Sequence, residues 1–348
     1  MTASPRRRAS VARILLPIVL AVAAAGLAAC GGRADDGLVV YSGRNRELID
    51  PLLARFERET GIDVTVSYKG DSTNLALLID QEGDKSPADV FISQSPGAMG
   101  FLDAEDRLER LPARILDRVP EAYRAADGDW VGLSGRVRVL VYDRAEHDPA
   151  DLPDSVFQLT EPRYRGKVGI APTNASFQDF VSAMRTLRGD AATRQWLEAM
   201  AANGVETYPD NLSIVAAVDR GEIEYGLVNH YYNERITAEN PDATTANHFM
   251  PGTDEPGAIV LAATAGIIDT VGDERADAER LVEFLVSDSA QQYFAEQTFE
   301  YPLVAGIATA SDLPPLASLA APRIDLAELG ADLAGTREMI RDAGLERG

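Results

Sequence analysis

Leu38-Val-Val-Tyr-Ser-Gly43 opens the part of the chain whose reading decides the fold. Four apolar residues closed by Ser-Gly read as a short buried strand and its turn. From Arg46 to Thr60, residues Leu48, Ile49, Leu52, Leu53 and Phe56 recur at helical spacing, and Gly61 follows where a helix C-cap belongs. Ile62-Asp-Val-Thr-Val66 alternates as a strand, and Asn74 to Glu82 reads as a second helix. Ala88-Asp-Val-Phe-Ile92 is a further strand, running into the turn Ser93-Gln94-Ser95-Pro96-Gly97. This alternation predicts a parallel sheet with helices on both faces, an α/β fold.

The rhythm then pauses and restarts. Val137 to Tyr142 is a valine-rich strand, and a second isolated strand, Gly257-Ala-Ile-Val-Leu261, comes far downstream. Between them stand Lys167-Val-Gly-Ile170, helices over 177–187 and 191–203, and a strand from Glu224 to Val228. Helices over 273–287 and 289–297 follow. Two α/β units joined by two widely separated strands predict two lobes with a cleft between them. We place the N-terminal lobe at 38–136 and 262–305, the C-terminal lobe at 137–261 with the hinge strands at its ends, and a helical segment at 306–348. Ligands of open α/β sheets sit outside the carboxyl ends of the strands. The turns at Ser42–Asn45, Ser93–Pro96 and Asn229–Asn233 all follow strands and are placed to line that cleft.

The first 29 residues divide into a basic segment (Arg6, Arg7, Arg8, Arg13), an apolar run from Ile14 to Leu27 and a small-residue end, the layout of a secretory signal. The run is shorter than the ~20 residues a spanning helix needs. Leu27-Ala-Ala-Cys30-Gly31 resembles a lipoprotein cleavage box, which implies a lipid on Cys30 and a short linker over 30–37. Cys30 is the only cysteine, so disulfides, thiolate zinc sites and thiol nucleophiles are excluded from the rest of the chain. The expected location is extracytoplasmic, in the periplasm or on the outer face of the membrane, held by that lipid.

Removing the four leader arginines takes the formal net charge from −22 to −26. A surface so acidic repels nucleic acid and anionic lipid headgroups, and no basic stripe offsets it. It raises the local concentration of cations. Gly-x-Ser-x-Gly, His-Glu-x-x-His and Walker loops are absent, so no enzyme is expected.

Tyr231 and Tyr232 adjoin each other in Leu227-Val-Asn-His-Tyr-Tyr-Asn-Glu234. A phenol titrates near ~10 and is a poor ligand until a strong cation takes its proton. Two adjacent phenols therefore point to a hard trivalent ion, or else to one ring in the core and one at a strand end. If the strand continued, its residues would alternate in direction and His230 would stand behind the pair.

Val40-Tyr-Ser-Gly-Arg44, Glu82 to Phe91, Leu133 to Val139, Arg165 to Gly169, Asn229-His-Tyr-Tyr232, Pro256-Gly-Ala258 and Glu300-Tyr-Pro-Leu303 together resemble the bacterial periplasmic ferric-ion-binding proteins, the transferrin-like receptors of iron ABC importers. Order and spacing hold from about Leu38 to Leu303. The resemblance implies a two-lobed periplasmic-binding-protein fold of type II, Fe(III) as cargo in the cleft, and Tyr231 and Tyr232 as its tyrosinates. It implies anion-binding roles for Arg136, Asn211, Asn229 and the loop Asn174-Ala175-Ser176, whose backbone amides would meet a carbonate, phosphate or citrate at a helix N-terminus.

The departures matter as well. Asn45 stands where some members have a histidine ligand, Gln94 where they have a glutamate, and Phe177 where another subgroup has a third tyrosine. Gln94 and Asn45 keep a neutral amide oxygen to offer, so the two phenolates and an anion would carry most of the site. The implied partners are an ABC permease with its ATPase, and the receptor itself is expected to be a monomer. The alternative is a receptor of the same fold for a small organic anion: a phosphonate, a thiamine ester or an iron–carboxylate chelate.

Overall fold

The computed structural model describes residues 37–310 and 313–346. The signal 1–29, Cys30 and all but the last residue of the linker lie outside them. Among the described residues no helix is long and apolar enough to cross a membrane.

The first half alternates as expected: β1 (Leu38–Ser42), α1 (Arg46–Thr60), β2 (Val64–Ser67), α2 (Ser72–Glu82), β3 (Val90–Ser93), α3 (Pro96–Ala104), β4 (Leu108–Glu109), α4 (Ala113–Leu116) and β5 (Trp130–Asp143). Then come β6 (Val168–Ile170), α5 (Ala175–Ala202), β7 (Glu206–Thr207), α6 (Asn211–Asp219), β8 (Tyr225–Asn229), α7 (His230–Glu239), β9 (Thr245–His248) and β10 (Val260–Ile268). The chain closes with α8 (Arg275–Leu285), α9 (Asp288–Gln297), β11 (Tyr301–Pro302) and α10 (Leu333–Asp342). In α1 the five apolar residues read from the spacing are all buried, and Gly61 caps it with φ 74°. The two helices expected at 177–187 and 191–203 form one assigned helix broken at Gly189, whose φ of 80° suits glycine.

β5 organises the sheet. Its first half pairs antiparallel with β10, from Trp130 opposite Gly266 to Val137 opposite Val260. From Arg138 to Tyr142 it pairs instead with β8, Arg138 facing Asn229. Parallel β2, β1 and β3 extend the sheet beyond β10, and parallel β6 and β7 extend it beyond β8. The partner change between Val137 and Arg138 joins two α/β halves, each with helices packed on its strands. The expected strand at 257–261 is a 3-10 turn over Pro256–Ala258, with strand pairing only from Val260. β9 pairs with β5 as well, an element the sequence pattern does not announce.

The C-terminal segment lies across helices of both halves. Gly97 and Gly100 of α3 meet the backbone at 327–330 so closely that a Cβ on Gly100 would stand 2.2 Å from the Ala327 carbonyl oxygen. On the other side Thr336 hydrogen-bonds Ser182 of α5 at 2.9 Å, and Arg185 pairs with Asp332 at 2.8 Å. A backbone oxygen cannot swing aside as a flexible side chain can. Gly100→Ala is therefore expected to cost about 1–3 kcal/mol, the range of overpacked sites, read from the midpoint of urea unfolding.

Candidate metal and anion centre

Loops at the carboxyl ends of β1, β3, β6 and β8 converge on a cavity of about 330 Å³. Asn45, Gln94, Asn174 to Ser176 and Tyr232 line it, so sequence-distant candidates do come together. The two halves touch here. Gln94 Nε2 donates to the Tyr231 hydroxyl at 3.1 Å, Thr73 to Gln178 at 3.4 Å, and Ser95 to Asp179 at 2.6 Å.

Tyr231 and Tyr232 occupy the first turn of α7 rather than the end of a strand. β8 ends at Asn229, opposite Arg138 at the point where β5 changes partners, so the helix starts at the junction of the two halves. The rings stack with centroids 4.2 Å apart and planes 29° from parallel. Tyr231 is fully buried and Tyr232 nearly so. Burial pushes both phenols above their usual range, and for Tyr231 the neighbouring Tyr232 and Glu300 add to the rise while Arg136 opposes it. Without a cation both are neutral at physiological pH.

His230 does stand behind the pair, for a reason other than strand alternation. Its Nδ1 accepts from the Val137 backbone N–H at 3.1 Å, which leaves the proton on Nε2 to donate to the Phe299 carbonyl at 2.9 Å. Burial lowers its pKa to about 4, so a neutral imidazole ties α7 to β5 with both nitrogens occupied. His147 and His248 bond Tyr225 and the Pro153 carbonyl, away from the cavity. Glu234 accepts from Asn247 at 2.8 Å.

The anion candidates form a chain of contacts. Asn174 caps α5, its Oδ1 accepting from the Ser176 N–H at 3.0 Å and from the Ser176 hydroxyl at 2.7 Å. The Ser176 amide is thus already engaged, which leaves less of the loop for an anion than the sequence suggests. Asn211 reaches Ser176 Oγ at 3.5 Å and accepts from the Asn229 backbone N–H at 3.2 Å. Both side-chain atoms of Asn229, the Gln94 Oε1 and all three guanidinium nitrogens of Arg136 are buried without a hydrogen-bond partner. Buried polar groups are nearly always satisfied. Of these orphans only the Gln94 Oε1 belongs to a residue that lines the cavity, placed there for a polar ligand; Arg136, Asn211, Asn229 and Tyr231 are buried and do not line it.

Asn45 is exposed at the mouth, while Phe177 is core, 5.6 Å from the Phe180 ring. Three residues at the cavity carry no role in the sequence reading, although Arg44 lies in a turn it places along the cleft. Arg44 is buried and held by Glu300 at 2.5 Å and Ser134 at 3.2 Å, Arg46 covers the Tyr68 ring at 4.4 Å, and Ser72 Oγ accepts from the Gln94 N–H at 2.8 Å. Two of the arginines here are matched by buried carboxylates, Arg44 by Glu300 and Arg136 by Asp179, and the pair Arg44 and Arg46 flanking Asn45 was the available signal.

A cleft between two α/β halves that share a crossing strand is the architecture of a solute-binding protein. Residues 85–326 match the family model of bacterial extracellular solute-binding proteins. The major ferric iron-binding protein of Neisseria meningitidis serogroup B is 35% identical over 330 residues, covering 93% of this chain and 97% of its own length. The iron-bound HitA of Pseudomonas aeruginosa superposes with a TM-score of 0.83 at 30% identity, over 88% of this chain and 99% of that one. A Trichodesmium protein solved with iron and citrate ligands gives a TM-score of 0.75 at 25% identity, over 89% and 99%. The chain belongs to the bacterial extracellular solute-binding proteins, in the family of periplasmic ferric-ion-binding proteins, and its fold is of type II.

Proposed function

We propose that this chain captures Fe(III) in the cleft, with Tyr231 and Tyr232 as phenolate ligands and an anion completing the coordination, and passes it to an ABC importer. The observation that carries the reading is the stacked, buried tyrosine pair beside buried groups that have no partner. Two phenolates leave Fe(III) with one positive charge. An anion against Arg136 and Asn229 would neutralise it, and Gln94 Oε1 and Asn45 are further oxygen donors. The relatives' names support iron as the cargo, and extracellular solute-binding proteins generally work with ABC transporters.

The lobes at 38–136 with 262–305 and at 137–261 would open and close about β5 and β10, with 306–348 as the closing helical segment. A ligand that bridges them favours the closed form. The chain would act as a monomer outside the cytoplasm, tethered through a lipid on Cys30. Adding Fe(III) with carbonate, phosphate or citrate in turn should produce a visible phenolate-to-iron band. A protein that stays colourless with every anion would refute the reading.

A second reading has one specific support. The cavity falls within the ~300–1,000 Å³ range of small-molecule sites, which suits an iron–citrate chelate entering whole. Loss of iron uptake when citrate is withheld and only carbonate or phosphate is supplied would favour it over binding of the ion with any small anion.

A further inference from the structure

Asp179 is a carboxylate that the iron reading leaves unused. It lies on α5 three residues beyond Ser176 and four beyond Ala175, spacings that share a helix face with the anion loop. It is fully buried. Its Oδ1 accepts from the Ser95 hydroxyl at 2.6 Å and from the Gly97 backbone N–H at 3.3 Å, both at the start of α3. Its Oδ2 has no hydrogen-bond partner and stands 3.5 Å from a terminal nitrogen of Arg136, whose own nitrogens also lack one. The two side chains are thus held by charge without a hydrogen bond, and the guanidinium keeps its donors for a third group. Burial raises the Asp179 carboxyl to about 6, with Arg136 and Ser95 opposing the rise, and the guanidinium 3.5 Å away favours the carboxylate form.

The charges then sum differently from the count with iron and tyrosines alone. Fe(III) with two phenolates carries one positive charge, Arg136 adds one, and Asp179 removes it. We propose that Asp179 determines which anion the site accepts, cancelling Arg136 so that an anion of low charge is favoured over a highly charged one. The proposal rests on the Fe(III) reading above.

Asp179→Asn tests it, because the amide keeps an Oδ1 acceptor for Ser95 and Gly97, removes the charge and puts Nδ2 in place of the Oδ2 that faces Arg136. The readout is the anion concentration giving half of the visible band at fixed Fe(III), for citrate against bicarbonate. Identical solutions for both proteins cancel chelation in the solvent. The ratio should move toward citrate by at least about tenfold, the order expected of one unit charge in an effective dielectric near ~20. Asp179→Glu keeps the charge and should keep the wild-type ratio, which a purely structural role of this carboxylate would not predict. If Asp179→Asn does not fold, Asp179→Ser, uncharged and smaller, should move the ratio toward citrate in the same way. A band in both proteins with an unchanged ratio overturns the role of Asp179 alone. No band in either protein, with any anion, removes the iron reading and this proposal with it.

Discussion

Tyr231→Phe and Tyr232→Phe should each lower the affinity for Fe(III) by more than about 100-fold, since even outer partners of a metal ligand change affinity by 10–100-fold. The double variant should bind no Fe(III) in competition with a moderate chelator. Phenylalanine preserves the ring and its stacking at 4.2 Å, so the loss reports the hydroxyl. Tyr231 accepts a hydrogen bond from Gln94, and removing that acceptor leaves a buried donor unpaired, at a cost of about 1–3 kcal/mol. Tyr232→Phe also removes a partner, because the two hydroxyls share a side-chain hydrogen bond. If both variants bound iron as the wild type does, with the same visible band, the phenols would not be ligands.

Iron binding should also grow steeply weaker as pH falls. Burial holds both phenols above their ordinary value, so in the empty cleft each carries its proton at neutral pH. A phenolate ligand must lose that proton, and binding therefore releases one from each tyrosine. The sign follows from linkage: the state that binds fewer protons is favoured by raising the pH. Two released protons correspond to about a hundredfold gain in apparent affinity per pH unit. The check is proton release in weakly buffered solution, after subtracting what the iron donor exchanges alone. Two protons per iron are expected from wild type and one from either single variant. Uptake of iron with no release beyond the donor's own would contradict phenolate ligation.

How much of this was legible in the sequence depended on whether a signal was local. β1 to β3 and their helices were readable because apolar residues in 38–92 recur at the strand and helix periods. The first half of β5 was not, because Gly132, Ser134 and Gly135 interrupt the valine pattern although every residue from Trp130 to Tyr142 is buried. β9, Thr-Ala-Asn-His, has no apolar alternation at all and owes its pairing to β5. The tyrosine turn was taken for a strand end because α7 lacks a side-chain cap; Asn229 occupies the cap position without closing it.

The site divides in the same way. Tyr231, Tyr232, Gln94 and the Asn174–Ser176 loop were legible from motifs following strands; Tyr232, Gln94 and the loop line one cavity, and Tyr231 joins them through its hydrogen bond from Gln94. Asp179 was not. It sits inside a helix read only from its apolar residues, and its partners Ser95, Gly97 and Arg136 are distant in sequence and brought close by tertiary folding. No period or motif encodes such a contact.

Resonance Raman spectroscopy of the Fe(III)-loaded protein, excited within its visible band, tests the central claim most directly. Phenolate ring modes should dominate the wild-type spectrum, weaken in each single Tyr→Phe variant and vanish in the double variant. An iron-loaded protein whose spectrum carries no phenolate modes would contradict the assignment of Tyr231 and Tyr232 as the ligands.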